Sequence, residues 1–170
     1  GRTAAGVRGI WLGEGDYVVG AEKAEEGKTL LTVTQNGYGK RTALTEYLRT
    51  GPNGEKQAQS RGGKGLKNYN ITPKTGNVAG CRVVSESDDV MLIENGGVII
   101  RIPASSINVY KRDVQGVIVM RFKEEGDQVI SLALTDREET AGTQETEEGD
   151  PAGERAEEAP ISEENQSEEE

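Results

Sequence analysis

A glycine-rich basic segment is the part of the sequence best suited to bind a charged ligand: Gln59-Ser60-Arg61-Gly62-Gly63-Lys64-Gly65. Glycines beside cationic side chains let the backbone approach a phosphate closely, so that amide N–H groups and charged heads both reach it. The segment ends a stretch, residues 40–67, that holds seven basic and two acidic residues. Contacts of this kind bind a nucleic-acid backbone without reading its sequence.

We therefore predict phosphate contacts from this segment and from the bases around it. The first group consists of the segment's own residues and the bases of the same stretch: Lys40, Arg41, Gln59, Arg61, Gly62, Gly63, Lys64 and Lys67. The second group occupies analogous repeat positions or neighbouring loops: Arg8, Arg101 and Arg112. The alternative is a flexible loop whose charges are simply solvated, and any one surface charge often has no other role.

Other chemistries have weaker support in the sequence. Gly62-Gly63-Lys64-Gly65 lacks the four-residue gap and the Ser or Thr of a nucleotide-binding P-loop. The chain has no histidine and a single cysteine, Cys81, which excludes an internal disulfide and a Cys/His metal site. No stretch approaches the roughly 18 apolar residues that a membrane span needs. We expect no metal site, no cofactor in this chain, no membrane partner and a cytoplasmic location.

The charge is divided unevenly along the chain. Residues 137–170 hold fourteen acidic and two basic residues, a net charge of −12, whereas the first 136 hold sixteen acidic and eighteen basic residues, a net +2. The total of −10 thus hides a mildly basic domain. The acidic tail is nearly free of apolar residues, so we predict that it is disordered. It could compete with a nucleic acid for basic residues, or it could be a solubilising appendage.

Turn signatures recur along the first 136 residues. Asn36-Gly37 and Asn95-Gly96 lie 59 residues apart between β-prone segments, and each predicts a tight type I′ hairpin. Three Gly-led segments precede Gly15-Asp16, Gly76-Asn77 and Gly126-Asp127, which we also interpret as hairpin turns. After the last of them, Ile130, Leu132 and Leu134 alternate with smaller residues, as in a half-buried strand.

One repeat unit is therefore roughly four short strands, the size of a propeller blade. We predict the second half of a blade at residues 1–27, a complete blade with the basic loop at 28–87, a complete final blade at 88–136, and the disordered tail at 137–170. The fold class is all-β, a partial ring of four-stranded blades. Trp11 and Phe122 occupy matching places in their units, and we expect both in the core.

The basic segment resembles the gyrase-A box, Gln-Arg-Arg-Gly-Gly-Lys-Gly, at six of seven positions, with Ser60 as the one departure. The segments at residues 2–10 and 32–42 also resemble late repeats of that family, the C-terminal domain of the bacterial DNA gyrase A subunit. The resemblance covers residues 1 to about 136, and an acidic tail is usual in the family. It implies that the chain holds the last blades of a β-pinwheel, a propeller-like disc in which blades exchange strands.

The resemblance further implies a function and a set of partners. The basic rim of the disc wraps double-stranded DNA, and the whole enzyme uses ATP and Mg²⁺, bound by other domains, to introduce negative supercoils. The implied partners are the N-terminal cleavage domain of gyrase A and the gyrase B protein, in an A2B2 complex on the chromosome. The family's principal box lies in the first blade, so the copy at residues 59–65 would belong to a later blade.

The alternatives are the C-terminal domain of topoisomerase IV, whose box is usually degenerate, and a propeller-like protein-interaction domain. The family cleaves DNA with a tyrosine that directly follows an arginine. None of the five tyrosines does so, and we therefore expect no catalysis from this chain alone: Tyr17, Tyr38, Tyr47, Tyr69 and Tyr110.

Overall fold

The computed structural model describes residues 1–136, and the expectation for the acidic tail lies outside them. The described part is all-β, with two single-turn 3-10 segments at Leu44–Tyr47 and Ala104–Ser106. The strands are β1 (Thr29–Thr34), β2 (Tyr38–Ala43), β3 (Arg49–Thr50), β4 (Lys56–Gln57), β5 (Val78–Val84), β6 (Asp88–Glu94), β7 (Ile99–Pro103), β8 (Val117–Ile118) and β9 (Val129–Asp136). The predicted all-β class is confirmed.

Three antiparallel sheets organise these strands. One has four strands in the order β5-β1-β2-β8, one has three in the order β7-β6-β9, and β3 and β4 form a two-stranded ribbon. The core contains apolar side chains that are at most 3 % exposed, drawn from both larger sheets and from the segments between them: Leu31, Val33, Val84, Val90, Leu92, Ala104, Ile107, Met120, Val129 and Leu132. Phe122 packs against this core, as the sequence predicted.

The two Asn-Gly hairpins are present as β1–β2 and β6–β7. Three residues, 35–37, separate β1 from β2, and three residues, 95–97, lie inside the pair that the Glu94 amide closes with the carbonyl of Val98, whereas the predicted type I′ turn has two. The positive φ falls on the third residue, Gly37 (+77°) or Gly97 (+91°), whose N–H donates to the carbonyl three residues earlier. Three-residue loops of this kind are the next most common way to close a hairpin.

The Gly-Asp turns do not close hairpins, so that prediction is wrong. At Gly126-Asp127 the flanking strands separate, because β8 pairs with β2 while β9 pairs with β6. The unit that begins near residue 88 therefore contributes a strand to the sheet of the preceding unit. Glycines make room for it: a Cβ at Gly37 would lie 2.2 Å from the carbonyl oxygen of Met120. This strand exchange is what the resemblance to a pinwheel implied.

The alternation predicted for β9 does not match its burial: of Ile130, Leu132 and Leu134, only Leu132 is buried. A bulge opposite Ile93 and Glu94 leaves Ile130 unpaired, since Glu94 pairs with Val129 and Ile93 with Ser131. An extra residue in one strand shifts the faces of those beyond it. Val129 and Leu132 are consequently buried, whereas Ile130 is 58 % exposed.

Candidate nucleic-acid interface

Residues 59–67, which we call the box loop, are hydrogen-bonded to residues 9–11. The amide of Gly62 donates to the carbonyl of Gly9 over 2.8 Å, and the amide of Trp11 donates to the carbonyl of Gly63, also over 2.8 Å. These bonds form a parallel bridge between Ile10 and Gly63. Two stretches that are about 50 residues apart in sequence are thereby held side by side.

Two glycines of the box loop are required by its shape. Gly62 and Gly65 have φ values of +76° and +75°, a region that L-residues with a side chain rarely enter. A Cβ at Gly65 would also lie 3.1 Å from Cδ1 of Ile10. The conformation of the loop thus depends on the glycines that the sequence singled out.

The cations of the box loop are exposed. Arg61, Lys64 and Lys67 all reach solvent, and Gly63 between them is open as well. Gln59 is exposed too, and its side-chain amide donates to the carbonyl of Tyr47 over 3.2 Å, which fixes the start of the loop. The Lys67 ammonium donates to Oδ1 of Asn70 over 3.5 Å, and all three cationic residues stay open to solvent, where a phosphate could reach them.

Arg8 joins these cations through an aromatic contact. Its guanidinium lies 3.6 Å from the centroid of the Trp11 ring, a cation–π distance. Trp11 is 56 % exposed, so its predicted place in the core is wrong: its backbone pairs with Gly63, and its ring supports Arg8 at the surface. The only sequence signal for this pair is the i, i+3 spacing of an arginine and a tryptophan.

Lys40 and Arg41 are buried, which corrects their prediction as phosphate contacts. Lys40 is 0 % exposed and Arg41 is 4 % exposed. The Lys40 ammonium donates to the carbonyls of Lys111 (2.6 Å) and Arg112. Arg41 donates through Nε to the carbonyl of Ile107 over 2.6 Å and through its terminal nitrogens to Glu86. Their donors are used inside the protein, so neither head can reach DNA from this position.

The environment of Lys40 also affects its charge. Burial lowers the pKa of Lys40 to about 8, an effect that the nearby Asp113 carboxylate opposes and the Arg112 guanidinium reinforces. The ring of Tyr69 lies 5.2 Å from the ammonium. The charged amine is therefore held by carbonyl oxygens and an aromatic face instead of water.

The two remaining predicted bases lie apart from each other. Arg112 is half-buried, and its Nη1 donates to the carbonyl of Lys67 over 2.8 Å, which places it at the end of the box loop. Arg101 lies on β7 in the three-stranded sheet, where its guanidinium bonds Asp89 at 2.9 Å and the carbonyl of Asp136. The structure thus brings Arg8 and Arg112 to the box loop, whereas Arg101 bonds to residues of the three-stranded sheet.

The described residues show two further features that bear on function. Across residues 1–136, no group of three or more His, Cys, Asp and Glu side chains is arranged to hold a metal ion. No helix in that range is long and apolar enough to cross a membrane.

Comparison with known families shows where this chain belongs. A family model described as "DNA gyrase C-terminal domain, beta-propeller" matches residues 1–25, 28–56, 57–85 and 88–136. The chain belongs to the DNA gyrase C-terminal domain family. Within this family, the predicted gyrase-A box is the loop that residues 9–11 hold in place.

Relatives that are DNA gyrase A proteins are similar over most of the chain. Those of Staphylococcus epidermidis and Staphylococcus aureus are 42 % and 40 % identical over 141 residues, which is 82 % of this chain and 15 % of theirs. The chain thus spans about one seventh of the length of these relatives.

Two solved structures share the fold. A gyrase A C-terminal domain aligns with a TM-score of 0.53 at 26 % identity, over 62 % of this chain and 33 % of that one. The C-terminal domain of a DNA topoisomerase IV aligns with a TM-score of 0.66, also at 26 % identity, over 78 % of this chain and 38 % of that one.

Proposed function

We propose that this chain is a DNA-binding and wrapping module of a gyrase A protein. The observation that carries the proposal is the bridge between residues 9–11 and 62–63, which holds two positive-φ glycines beside exposed cations. The proposed DNA contacts are residues in or beside the box loop: Arg8, Gln59, Arg61, Gly62, Gly63, Lys64 and Lys67. These residues bind the phosphates of double-stranded DNA without regard to base sequence.

In the assembled enzyme this module would act on DNA that other domains cleave. We propose an A2B2 complex in which the gyrase A cleavage domain and the gyrase B protein supply the catalytic tyrosine, ATP and Mg²⁺. Wrapping would present one DNA segment to another in a fixed sense, so that ATP-driven passage adds negative supercoils. The enzyme would work on the chromosome in the cytoplasm.

The first test reverses three charges of the box loop in the full chain. The variant Arg61→Glu/Lys64→Glu/Lys67→Glu should bind a duplex at least about 100-fold more weakly at 0.1 M salt, since each lost phosphate contact removes counterion release. The matched control is Lys23→Glu/Arg121→Glu/Lys123→Glu, which changes the net charge equally at three positions outside the loop. Equal losses in both variants would show a general charge effect and contradict the assignment of the loop.

A topoisomerase IV module is the second candidate, because the topoisomerase IV domain has the higher TM-score of the two structures. The box at residues 59–65 and the gyrase A relatives favour the first candidate. Supercoiling by the reconstituted enzyme separates the two, since a gyrase should introduce negative supercoils into relaxed plasmid with ATP. Decatenation without supercoiling would support topoisomerase IV. A module with no salt-dependent DNA binding would instead be a protein-interaction domain.

For the acidic tail we propose a competitive role. Its net charge of −12 gives it the sign of DNA, so it would lower the affinity of the basic loop for a duplex. Deleting residues 137–170 should therefore strengthen binding at low salt and matter less at high salt, where charges are screened. Unchanged affinity at low salt would reduce the tail to a solubilising segment.

A further inference from the structure

Within residues 1–136, an arginine precedes a positive-φ glycine by four residues three times. The glycines have φ values of +77°, +75° and +77°, so the left-handed conformation of the glycine recurs together with the sequence spacing. The three pairs are Arg2 with Gly6, Arg61 with Gly65, and Arg112 with Gly116. Arg61 belongs to the box loop, and the other two are its repeat equivalents.

The third arginine differs from the other two in its surroundings. Arg2 and Arg61 are exposed, whereas Arg112 is half-buried and donates to the carbonyl of Lys67 at the end of the box loop. Its Nε is buried and has no hydrogen-bond partner among the described residues. At this repeat position, Arg112 therefore contacts the box loop, whereas its two equivalents face solvent.

Lys40 fixes the backbone from which Arg112 extends. Its ammonium donates to two consecutive carbonyls, those of Lys111 and Arg112, and the side chain is fully buried. The contacts therefore run in series: Lys40 on β2 holds the backbone at residue 112, and the Arg112 side chain holds the backbone at residue 67. We call these two residues the bracket.

We propose that Lys40 and Arg112 are positioning residues, which hold the downstream end of the box loop in its DNA-binding geometry without themselves contacting DNA. The upstream part of the loop is already fixed by Gln59 and by the bridge to residues 9–11. The bracket supplies a fixed point at Lys67, beyond the cations at positions 61 and 64. A loop that is held at both ends loses less conformational freedom on binding.

The inference rests on the proposed function and is tested separately from it. Arg112→Gln and Arg112→Lys are compared in the full chain with Arg121→Gln, which removes one exposed charge elsewhere. Duplex affinity is measured from 0.05 to 0.3 M salt, with thermal unfolding of each variant. Hydrogen–deuterium exchange of residues 62–67 without DNA reports on the loop itself.

A positioning role predicts a distinct pattern. Arg112→Gln should weaken binding about tenfold with an unchanged salt slope, and Arg112→Lys should recover only part of the affinity. Exchange across residues 62–67 should become faster in both variants, and Arg121→Gln should alter neither measurement. Lys40→Met should behave like Arg112→Gln if it folds, and Arg112→Gln alone decides the matter if it does not.

Three results would overturn the inference. A salt slope reduced by about 0.9 would make Arg112 a direct phosphate contact. Unchanged affinity, or unchanged exchange of the loop, would leave the bracket without a role in DNA binding. If any of these results appears while the box-loop triple reversal weakens binding as predicted, the proposed function stands and only the bracket fails. If the triple reversal has no effect on binding, the proposed function is contradicted, and the inference that rests on it is contradicted as well.

Discussion

Two pairs of basic residues that look alike in the sequence differ in burial in the fold. Lys40 and Arg41 lie on β2, which pairs with β1 on one side and β8 on the other, and both side chains are buried. Arg61 and Lys64 lie in the box loop, which pairs with residues 9–11 only through the backbone, and both are exposed. The first pair satisfies carbonyl oxygens of the last unit, and the second pair remains available.

The comparison shows that position within a sheet decides the role of a cation more than local charge does. A buried cationic group must be hydrogen-bonded to persist: the carbonyls of residues 111 and 112 accept from the Lys40 ammonium, and the carbonyl of residue 107 accepts from the Arg41 guanidinium. The same residues therefore connect two repeat units. Phosphate binding is left to cations whose donors are not used in this way.

The sharpest test of the comparison is stability. Arg41→Ala should lower the free energy of unfolding by about 3 kcal/mol, because it removes packing and leaves the buried carbonyl of Ile107 without its donor. Arg61→Ala should change it by less than about 0.5 kcal/mol, as is usual at exposed sites. Urea unfolding of the full chain measures both, and similar losses would contradict the contrast.

A second test separates the shape of the box loop from its charge. Gly62→Ala should lower the free energy of unfolding by about 1 to 2 kcal/mol, because φ is +76° at this position. The added Cβ would not clash, since its nearest neighbour lies 3.5 Å away. It should also weaken duplex binding several-fold. Gly63→Ala, with no atom closer than 3.9 Å and no positive φ, is the control and should be close to neutral. Equal effects would mean that the loop does not depend on the left-handed turn.

The smallest effect concerns the protonation of Lys40. The pKa of this side chain is about 8 in the folded protein and near 10.5 when unfolded, so the unfolded chain binds more protons between those values. The stability of the wild type should therefore rise from pH 8 to pH 10 relative to Lys40→Met. We expect the free energy of unfolding to rise by about 1 kcal/mol or less, because two carbonyl acceptors favour the charged amine. A difference that falls with pH would contradict the direction of the shift.

Much of the fold could be predicted from repeats and turn residues. The two hairpins follow from Asn36-Gly37 and Asn95-Gly96, because the segments on both sides are short and β-prone. The partner of β8 could not be predicted from residues 117–118 themselves. Strand exchange depends on which sheet edge is open, and two flanking strands with a good turn between them look the same whether or not they pair with each other.

The candidate site was predicted in part. The loop and its glycines followed from residue types, since positive φ and close backbone approach are local requirements. The burial of Lys40 could not be foreseen, because it depends on carbonyls about 70 residues away in sequence. The exposure of Trp11 was missed for the same reason: its backbone pairs with Gly63, which leaves the ring outside and over Arg8.

The most direct test of the central claim is the salt dependence of duplex binding. Log affinity against log salt is compared for the full chain, for Arg61→Gln/Lys64→Gln and for Lys40→Met. The account predicts that the box-loop double variant lowers the slope by about 1.8, or about 0.9 for each lost phosphate contact, and that Lys40→Met keeps the wild-type slope. An unchanged slope in the double variant, or a loss of about 0.9 in Lys40→Met, would contradict it.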